Sequence, residues 1–433
     1  MLDPFPCTPE HELLMEEQDH AAAWETHKRR RAEGASFHFM RQDVLTGKWA
    51  LYNGGVSRIS KPMQVKRQKR TEMPRVGDEP ESLEGCPFCA GDVSSNLESV
   101  SKACPRLGDV LRYEDQKGKI EAVEDWSLAG STGNTWRVRV VRNLFPSLCL
   151  PRSFYIYDGC NEGFQADHGD EMNPHRDNPW YREVSAVGYN EIIIETPRHN
   201  SCLALENETN VSLLIRAMLR RGNRLRMQSN VKYITFFKQH KCGSLIHSHT
   251  QVITTPCVPH ILDNIATRAH HFHKRYSKCC VCSILVEGPL SNTMASERLV
   301  FASKHFVVAV PFAAREPHRM LIAPRRHDKH FLNLLDEEAV DLANVLRRAT
   351  ALYYHFLDDA PFHLAWFTCP VHLDSREAEL YDEAFHWYMG LYPRLKTRVR
   401  GLQSATDIAE NELLPEDNAA QLRRWLAELE GRP

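Results

Sequence analysis

The stretch Asn190-Glu-Ile-Ile-Ile-Glu-Thr-Pro-Arg-His199 is a β-branched run that ends in Pro-Arg-His, and it indicates a buried strand. The stretch Met320-Leu-Ile-Ala-Pro-Arg-Arg-His327 repeats this pattern in the second half of the chain. A helical pattern follows each stretch, near 208–227 and from about 336 to 356. Because self-similarity along a chain reveals its architecture, the two copies predict two domains related by internal duplication.

Each copy also carries two cysteines and two histidines in the same order: a Cys-x-x-Cys, a histidine that ends the strand, and a second histidine after a later strand. Two thiolates and two imidazoles are a ligand set of a closed tetrahedral zinc site. A simpler alternative is that the histidines merely end strands and the cysteine pairs form turns. The predicted ligands are Cys86, Cys89, His199 and His247 in the first set, and Cys279, Cys282, His327 and His386 in the second.

The composition limits the classes of protein to consider. The 433 residues are 42% hydrophobic and 25% charged, which suits a folded chain of two domains. A formal net charge of -2 gives no global basic field for a nucleic acid. No run of about 18 apolar residues and no signal-like start occur, and 13 cysteines in such a chain argue against a disulfide framework. We therefore expect a cytoplasmic protein without a membrane span.

The loop Cys242-Gly-Ser-Leu-Ile-His247-Ser-His249-Thr-Gln251 has no counterpart in the second copy. Alternation along a strand would place His247, His249 and Gln251 on one face. A metal-bound His247 would anchor the strand and leave His249 free to attack an electrophile. The Gly-Ser pair that ends at Ser244 would let a phosphate approach the backbone. Gln251 cannot titrate, which favours transfer to an added acceptor over transfer to water.

The motif His247-Ser-His249-Thr-Gln251 resembles the H-P-H-G-Q signature of the galactose-1-phosphate uridylyltransferase branch of the histidine triad superfamily. The resemblance covers about 37–420, and the motif together with Cys-Pro-Phe-Cys is its most specific part. Further matches are the stretches 41–49, 142–146, 197–199 and 310–312.

The resemblance implies specific roles for several residues. It makes His249 the nucleophile, places Gln251 and Ser244 on the phosphoryl oxygens, and assigns zinc to the first set of cysteines and histidines. Arg58, Lys61 and Asn143 match positions that hold nucleotide or phosphate in the family. Lys238 is a further candidate cation for the nucleotide.

The second set is similar to the second zinc site of ADP-glucose phosphorylases, which transfer adenylyl groups. In it, Cys280 competes with Cys279 and His330 competes with His327. This chain also departs from the family. The segment before His247 is shorter than the usual glycine-rich loop and carries larger residues, and Tyr388 stands where uridylyltransferases have a further histidine.

We expect an α+β fold of two tandem histidine-triad-like domains, antiparallel sheets flanked by helices, related by internal duplication. The expected division is an N-terminal helical extension at 1–36, a catalytic domain at 37–260 and a non-catalytic domain at 275–433, joined near 258–275.

The expected function is nucleotidyl transfer, through a covalent nucleotidyl-histidine, from a nucleoside diphosphate sugar to phosphate or a sugar 1-phosphate. Two zinc ions are the expected cofactors. Nucleic acid and membrane are excluded as partners, and a homodimer is compatible with the family. The alternatives are a dinucleoside polyphosphate phosphorylase or hydrolase, and a non-catalytic zinc-stapled scaffold that binds nucleotides or RNA.

Overall fold

The computed structural model describes the residues 37–43, 45–54, 74–84, 86–89, 109–116, 119–123, 136–143, 146–148, 188–290, 294–395 and 401–431. They divide into two compact units. The first unit lies within Met73–Pro259 and His330–Ser375, and the second unit lies within Met1–Glu72, His260–Lys329 and Arg376–Pro433.

Strands and helices alternate along the described residues. The strands are β1 (Phe37–Gln42), β2 (Trp49–Gly54), β3 (Asp109–Gln116), β4 (Lys119–Val123), β5 (Trp136–Arg142), β6 (Asn190–Ile194), β7 (Tyr233–His240), β8 (His249–Thr255), β9 (Leu299–Ala302), β10 (Phe306–Ala309), β11 (Met320–Pro324), β12 (Phe362–Phe367), β13 (Tyr388–Pro393) and β14 (Ala409–Asn411). The α-helices longer than one turn are α1 (Glu208–Leu225), α2 (His260–Tyr276), α3 (Asp336–Phe356), α4 (Ser375–Tyr381), α5 (Gly401–Thr406) and α6 (Pro415–Leu429). Shorter pieces are 3-10 turns at Val76–Asp78, Met294–Arg298 and Phe331–Asn333, and a π-helix at Cys282–Glu287 that continues into Gly288–Leu290.

The first unit is built on an antiparallel sheet with the strand order β4-β3-β5-β6-β8-β7-β12. Strand β6 is buried at every position, as its isoleucine run predicts for a strand covered on both faces. It pairs with β8 so that Ile194 lies opposite His249. The nucleophile candidate therefore lies at the end of a central strand of this sheet.

Helices α1 and α3 complete the first unit. Helix α1 begins after Asn207, whose side chain caps it by accepting a hydrogen bond of 2.8 Å from the amide of Asn210. An aromatic cluster supports the helices, with the ring of Phe236 on β7 in edge contact with Phe331 and Trp366. Because these rings are large and buried, they make this part of the sheet a rigid base for the loop that precedes β8.

The second unit contains an antiparallel sheet of the order β13-β11-β10-β9 and a smaller sheet in which β14 pairs in parallel with the hairpin β1-β2. Strands β1 and β2 form an antiparallel hairpin that turns at Thr46-Gly47. Its turn is fixed by Asp43, which accepts a hydrogen bond of 2.7 Å from the amide of Thr46, and Gly47 takes a positive φ of 70°.

The α+β class with antiparallel sheets is confirmed. Most of the predicted junction near 258–275 forms the amphipathic helix α2, and the division at this junction stays a prediction. The segment 330–375 groups with the first half of the chain instead of with the second. The predicted helical extension at 1–36 lies outside the described residues. None of the described helices combines the length and apolarity needed to cross a bilayer.

Candidate active site

The first cysteine and histidine set converges on one point in the first unit. The ligand atoms of Cys86, Cys89, His199 and His247 all lie within 4.8 Å of one another, and all four residues are buried. Sulfur to Nδ1 distances are 3.6 Å from Cys86 to His247 and 3.5 Å from Cys89 to His199. Tetrahedral zinc, with bonds of about 2.3 Å to sulfur and 2.0 Å to nitrogen, separates such ligands by about 3.5 Å. The donor set and its spacing therefore fit zinc.

Local hydrogen bonds set the orientation of this first cluster. Cys86 and Cys89 lie in a turn in which the amide of Leu83 donates to the Cys89 sulfur at 3.3 Å. Nε2 of His247 donates to the carbonyl of Thr196 at 2.8 Å, which selects the tautomer that turns Nδ1 towards the sulfurs. A backbone partner on the outer nitrogen is the usual arrangement for a metal-binding histidine.

Burial opposes charge on the first cluster when no cation balances it. It raises the pKa of the Cys86 thiol to about 11 and lowers the pKa of His247 to about 4. A bound cation reverses the first effect, because cysteine binds a metal as the thiolate. Buried thiols beside neutral imidazoles are therefore chemically suited to a metal ion.

His249 is the first residue of β8 and is buried beside the first cluster. Its Nδ1 donates to the carbonyl of His247 at 2.8 Å, so Nε2 keeps its lone pair. The ring of Phe88 lies in edge contact with the imidazole, with centroids 5.6 Å apart. Burial, with a further contribution from Lys238, lowers the pKa of His249 and keeps the ring neutral. A neutral imidazole held in a fixed tautomer is a competent nucleophile.

Other predicted site residues occupy different positions. Gln251 lies on β8 and is half-buried, between Ile192 on β6 and Phe237 on β7. Ser244 is exposed on the turn between β7 and β8. Asn143 follows β5, and its amide donates to the carbonyl of Asn190 at 2.9 Å. Arg58 and Lys61 lie outside the described residues.

Lys238 does not have the surroundings expected of a ligand-binding cation. Its ammonium is buried and lies 3.0 Å from both carboxylate oxygens of Glu195, and it also donates to Ser248 at 2.8 Å. A phosphate contact at this ammonium would have to displace an existing partner. The alternation of side chains along β7 shows which face of the strand Lys238 lies on. It does not show that the lysine has a buried partner 43 residues away in the chain.

The second cysteine and histidine set converges in the second unit, again with ligand atoms within 4.8 Å of one another. The Cys282 sulfur lies 3.4 Å from Nδ1 of His327 and 3.2 Å from Nδ1 of His386. His327 is exposed and Cys282 is half-buried, next to a cavity of about 570 Å³. This second cluster therefore has the same donors as the first cluster but faces solvent.

The competing residues are not among these ligands. Cys280 is buried but lies outside the group of four, and His330 precedes the 3-10 turn at Phe331–Asn333. Hydrogen bonds from the Cys280 and Cys282 thiols lower the pKa of Cys279, whereas the pKa of each of these two donors is raised. Of these three cysteines, Cys279 therefore loses its proton most readily.

Two residues of the site were not foreseen. Phe88 contacts the rings of both His247 and His249, and Glu195 binds Lys238. Phe88 lies inside the Cys-Pro-Phe-Cys motif, so its proximity to the metal ligands was available in the sequence. Glu195 directly follows the isoleucine run of β6. An acidic residue at the end of a buried strand needs a polar or charged partner, and that requirement could have identified it.

Comparisons with known proteins identify relatives of the whole chain. No protein-family model matches the chain. The chain is 25% identical to an ADP-glucose phosphorylase of Arabidopsis thaliana over 387 residues, which span 89% of this chain and 92% of the relative. It is 26% identical to a galactose-1-phosphate uridylyltransferase of Thermotoga maritima over 58% of this chain and 78% of the relative.

Solved structures show the same likeness. The crystal structure of an Arabidopsis thaliana ADP-glucose phosphorylase with bound ADP-glucose superimposes with a TM-score of 0.62 at 22% identity, over 89% of this chain and 99% of that one. A uridylyltransferase structure reaches a TM-score of 0.56 at 20% identity, over 74% of this chain. The resemblance inferred from the motifs is thus confirmed: the chain has homologues named ADP-glucose phosphorylase and galactose-1-phosphate uridylyltransferase, and it shares their fold.

Proposed function

We propose that this chain is a nucleotidyltransferase that moves a nucleoside monophosphate from a nucleoside diphosphate sugar to phosphate or to a sugar 1-phosphate. The observation that carries the proposal is the hydrogen bond of 2.8 Å from Nδ1 of His249 to the carbonyl of His247. It leaves Nε2 unprotonated on a buried, neutral ring. The relatives that align with most of the chain are named for this kind of transfer.

The reaction proceeds by double displacement. Nε2 of His249 attacks the α-phosphorus, an N–P bond forms, and the bond from this phosphorus to the oxygen of the sugar phosphate breaks. The sugar 1-phosphate leaves with that electron pair. An oxygen of the acceptor then attacks the same phosphorus, and the N–P bond returns its electron pair to Nε2. The imidazole is neutral at the start and at the end, so the cycle needs no external proton.

The developing negative charge falls on the non-bridging phosphoryl oxygens. We assign Gln251 and Ser244 to these oxygens as donors, because hydrogen bonds aimed at developing charge are the main source of stabilisation in phosphoryl chemistry. Arg58, Lys61 and Asn143 are assigned to the nucleotide. Lys238 is reassigned to the support of the strand, because its ammonium already binds Glu195.

Both clusters are proposed to hold zinc. Zinc would supply structural cross-links between distant segments, which suits four protein ligands and no open position. In the first cluster, Cys86 and Cys89 would be tied to His247, and the backbone that carries His249 would thereby be fixed. In the second cluster the same donors would tie Cys279 and Cys282 to His327 and His386.

The same order of ligands in both halves supports an internal duplication of a histidine-triad-like domain. Each unit has an antiparallel sheet, which agrees with this proposal. The balanced charge supports a cytoplasmic protein without a nucleic acid partner, and a homodimer stays a prediction. Adenosine diphosphate glucose is the proposed first substrate, because the relative with this name aligns over 89% of the chain.

An isotope-exchange experiment tests the double displacement. Labelled glucose 1-phosphate should exchange into ADP-glucose in the absence of phosphate, because the first half-reaction is reversible by itself. His249→Gly should abolish the exchange while the protein stays folded. A sequential mechanism, or a protein that only binds nucleotides, gives no exchange without the second acceptor.

A second experiment tests transfer against hydrolysis. The unaltered protein should release nucleoside monophosphate to water far more slowly than it transfers the group to phosphate. Gln251→His should raise the hydrolysis rate relative to transfer, because a titratable ring can activate water. If the unaltered protein releases nucleoside monophosphate equally fast with and without an acceptor, it is a hydrolase.

A further inference from the structure

A buried ion pair lies beneath the strand that carries His249. Glu195 is 2% exposed and Lys238 is 1% exposed, and the ammonium lies 3.0 Å from each carboxylate oxygen. Burial alone would raise the pKa of Glu195, but Lys238 and the hydroxyls of Ser248 and Thr250 lower it overall. The pair is therefore a carboxylate and an ammonium inside the first unit.

This pair is hydrogen-bonded to the residues on both sides of His249. The Ser248 hydroxyl donates to Oε2 of Glu195 at 2.6 Å, and the Thr250 hydroxyl donates to Oε1 at 2.6 Å. Lys238 donates to the Ser248 oxygen at 2.8 Å and lies 3.4 Å from the carbonyl of His249. The amide of Glu195 also donates to the carbonyl of Ser248 at 3.2 Å. Each carboxylate oxygen of Glu195 therefore accepts a hydrogen bond from one of the two residues that flank His249 in the chain.

The arrangement constrains the direction of the imidazole. Residues 248 and 250 point to one side of the strand, so His249 between them points to the other side. Two hydroxyls fixed on one carboxylate prevent the strand from rotating about its axis. A buried ion pair adds little net stability once its desolvation is counted, so stability alone does not account for such a network.

We propose that Glu195 and Lys238 are positioning residues that act through Ser248 and Thr250 to aim Nε2 of His249 at the α-phosphorus. This inference rests on the proposed function, since it concerns the same histidine. A displacement of about 1 Å at a reacting atom can cost on the order of a hundredfold in rate. Loss of the hydroxyls should therefore slow the chemical step and leave the affinity for the nucleotide sugar unchanged.

The test uses the two hydroxyl residues, because a variant that removes one partner of a buried ion pair is strongly destabilised for that reason alone. In Ser248→Ala combined with Thr250→Val, the single-turnover rate of nucleotidyl transfer to His249 from ADP-glucose should fall about tenfold to a hundredfold. The dissociation constant for ADP-glucose and the metal content should stay unchanged. Thr250→Ser should retain most of the rate, because the hydroxyl is kept.

The matched control is Glu191→Gln, on the strand that leads to Glu195. Glu191 forms another buried pair, in which its carboxylate accepts bonds of 2.6 and 2.9 Å from Arg221. Its backbone lies opposite Val252, three residues beyond His249 on β8. This variant should lose stability and keep its single-turnover rate per folded molecule.

Two results would overturn the positioning role. One is a double variant that reacts as fast as the unaltered protein, and the other is an equal loss of rate in Glu191→Gln. If the unaltered protein itself never becomes nucleotidylated at His249, the proposed function fails instead, so the two failures are distinguishable.

Discussion

The two cysteine and histidine clusters have the same four donors in the same sequence order, yet their surroundings differ. All ligands of the first cluster are buried, whereas the second cluster has an exposed His327 and a half-buried Cys282. Two residues after its last ligand, the first cluster has His249, and the second has Tyr388. Under the proposed function, each cluster would anchor a strand, and the residue that the strand presents would decide whether nucleotidyl transfer follows.

Tyr388 is unsuited to nucleophilic attack. It is 2% exposed, and burial, together with the nearby Tyr392 and Asp43, raises its pKa well above the ordinary value. A phenol that stays protonated is a poor nucleophile towards phosphorus at neutral pH. We therefore expect the second cluster to have a structural role only.

The largest expected difference between the clusters comes from removing one cysteine from each. Cys89→Ser should release one metal ion and reduce nucleotidyl transfer to His249 by at least about a hundredfold, because the anchor of the strand is lost. Cys282→Ser should release the other metal ion, destabilise the second unit and leave the protein that remains folded able to form the adduct. Metal analysis and labelling of each variant measure both effects.

A control separates loss of a ligand from loss of a buried thiol. Cys202→Ser changes a buried cysteine of the first unit that lies outside the cluster, and it should keep both metal ions. If Cys282→Ser removes no metal, the second cluster does not bind one. If it abolishes labelling in folded protein, the clusters do not have separate roles.

Converting the second cluster towards the sequence of the first gives the next largest effect. Tyr388→His should create no second nucleophile, because the Gly-Ser loop that precedes His249 has no counterpart before position 388. It should lower the free energy of unfolding by about 2 kcal/mol or more, since a smaller polar ring leaves space and an unpaired group. Peptide mapping of labelled protein and chemical denaturation are the measurements. An adduct at position 388 would show that the residue after the last ligand is by itself what separates the two clusters.

The rate of metal release should depend on how deeply each cluster is buried. A chelator should remove the metal of the second cluster about tenfold or more faster than the metal of the first, because the surrounding shell controls access to the ligands. Cys89→Ser and Cys282→Ser assign each kinetic phase to a cluster. Equal release rates would contradict the difference in exposure.

The smallest expected effect is the pH response of the metal-free protein. Burial lowers the pKa of His247 to about 4, below an unfolded value of about 6.5, so its stabilising contribution is lost as the pH falls from about 6.5 towards 4. A hydrogen bond with Cys279 raises the pKa of His327, so its contribution is present at low pH and is lost as the pH rises through that raised value. Histidine NMR titration should show opposite shifts, and shifts in the same direction would contradict this account.

Much of the fold and site could be predicted because the signals were local or repeated. The isoleucine run of β6 and the periodicity of α1 and α3 specify their elements without long-range information. Both sets of four ligands were predicted from the repeated order of cysteines and histidines, and the structure brings each set together.

The missed features depend on contacts that are distant in sequence. Lys238 was a candidate cation for the ligand, and no local pattern indicates that it pairs with Glu195, which lies 43 residues away. Residues 330–375 group with the first half through tertiary contacts, which a division read linearly along the chain could not show.

The measurement that tests the central claim most directly is mass spectrometry of the protein after incubation with ADP-glucose in the absence of phosphate. The account predicts one adenylyl group per chain, acid-labile and located on the peptide that contains His249, with no adduct on the peptide that contains Tyr388. Addition of phosphate should remove the group. An unmodified protein that nevertheless turns over ADP-glucose, or an adduct that persists in His249→Gly, would contradict the account.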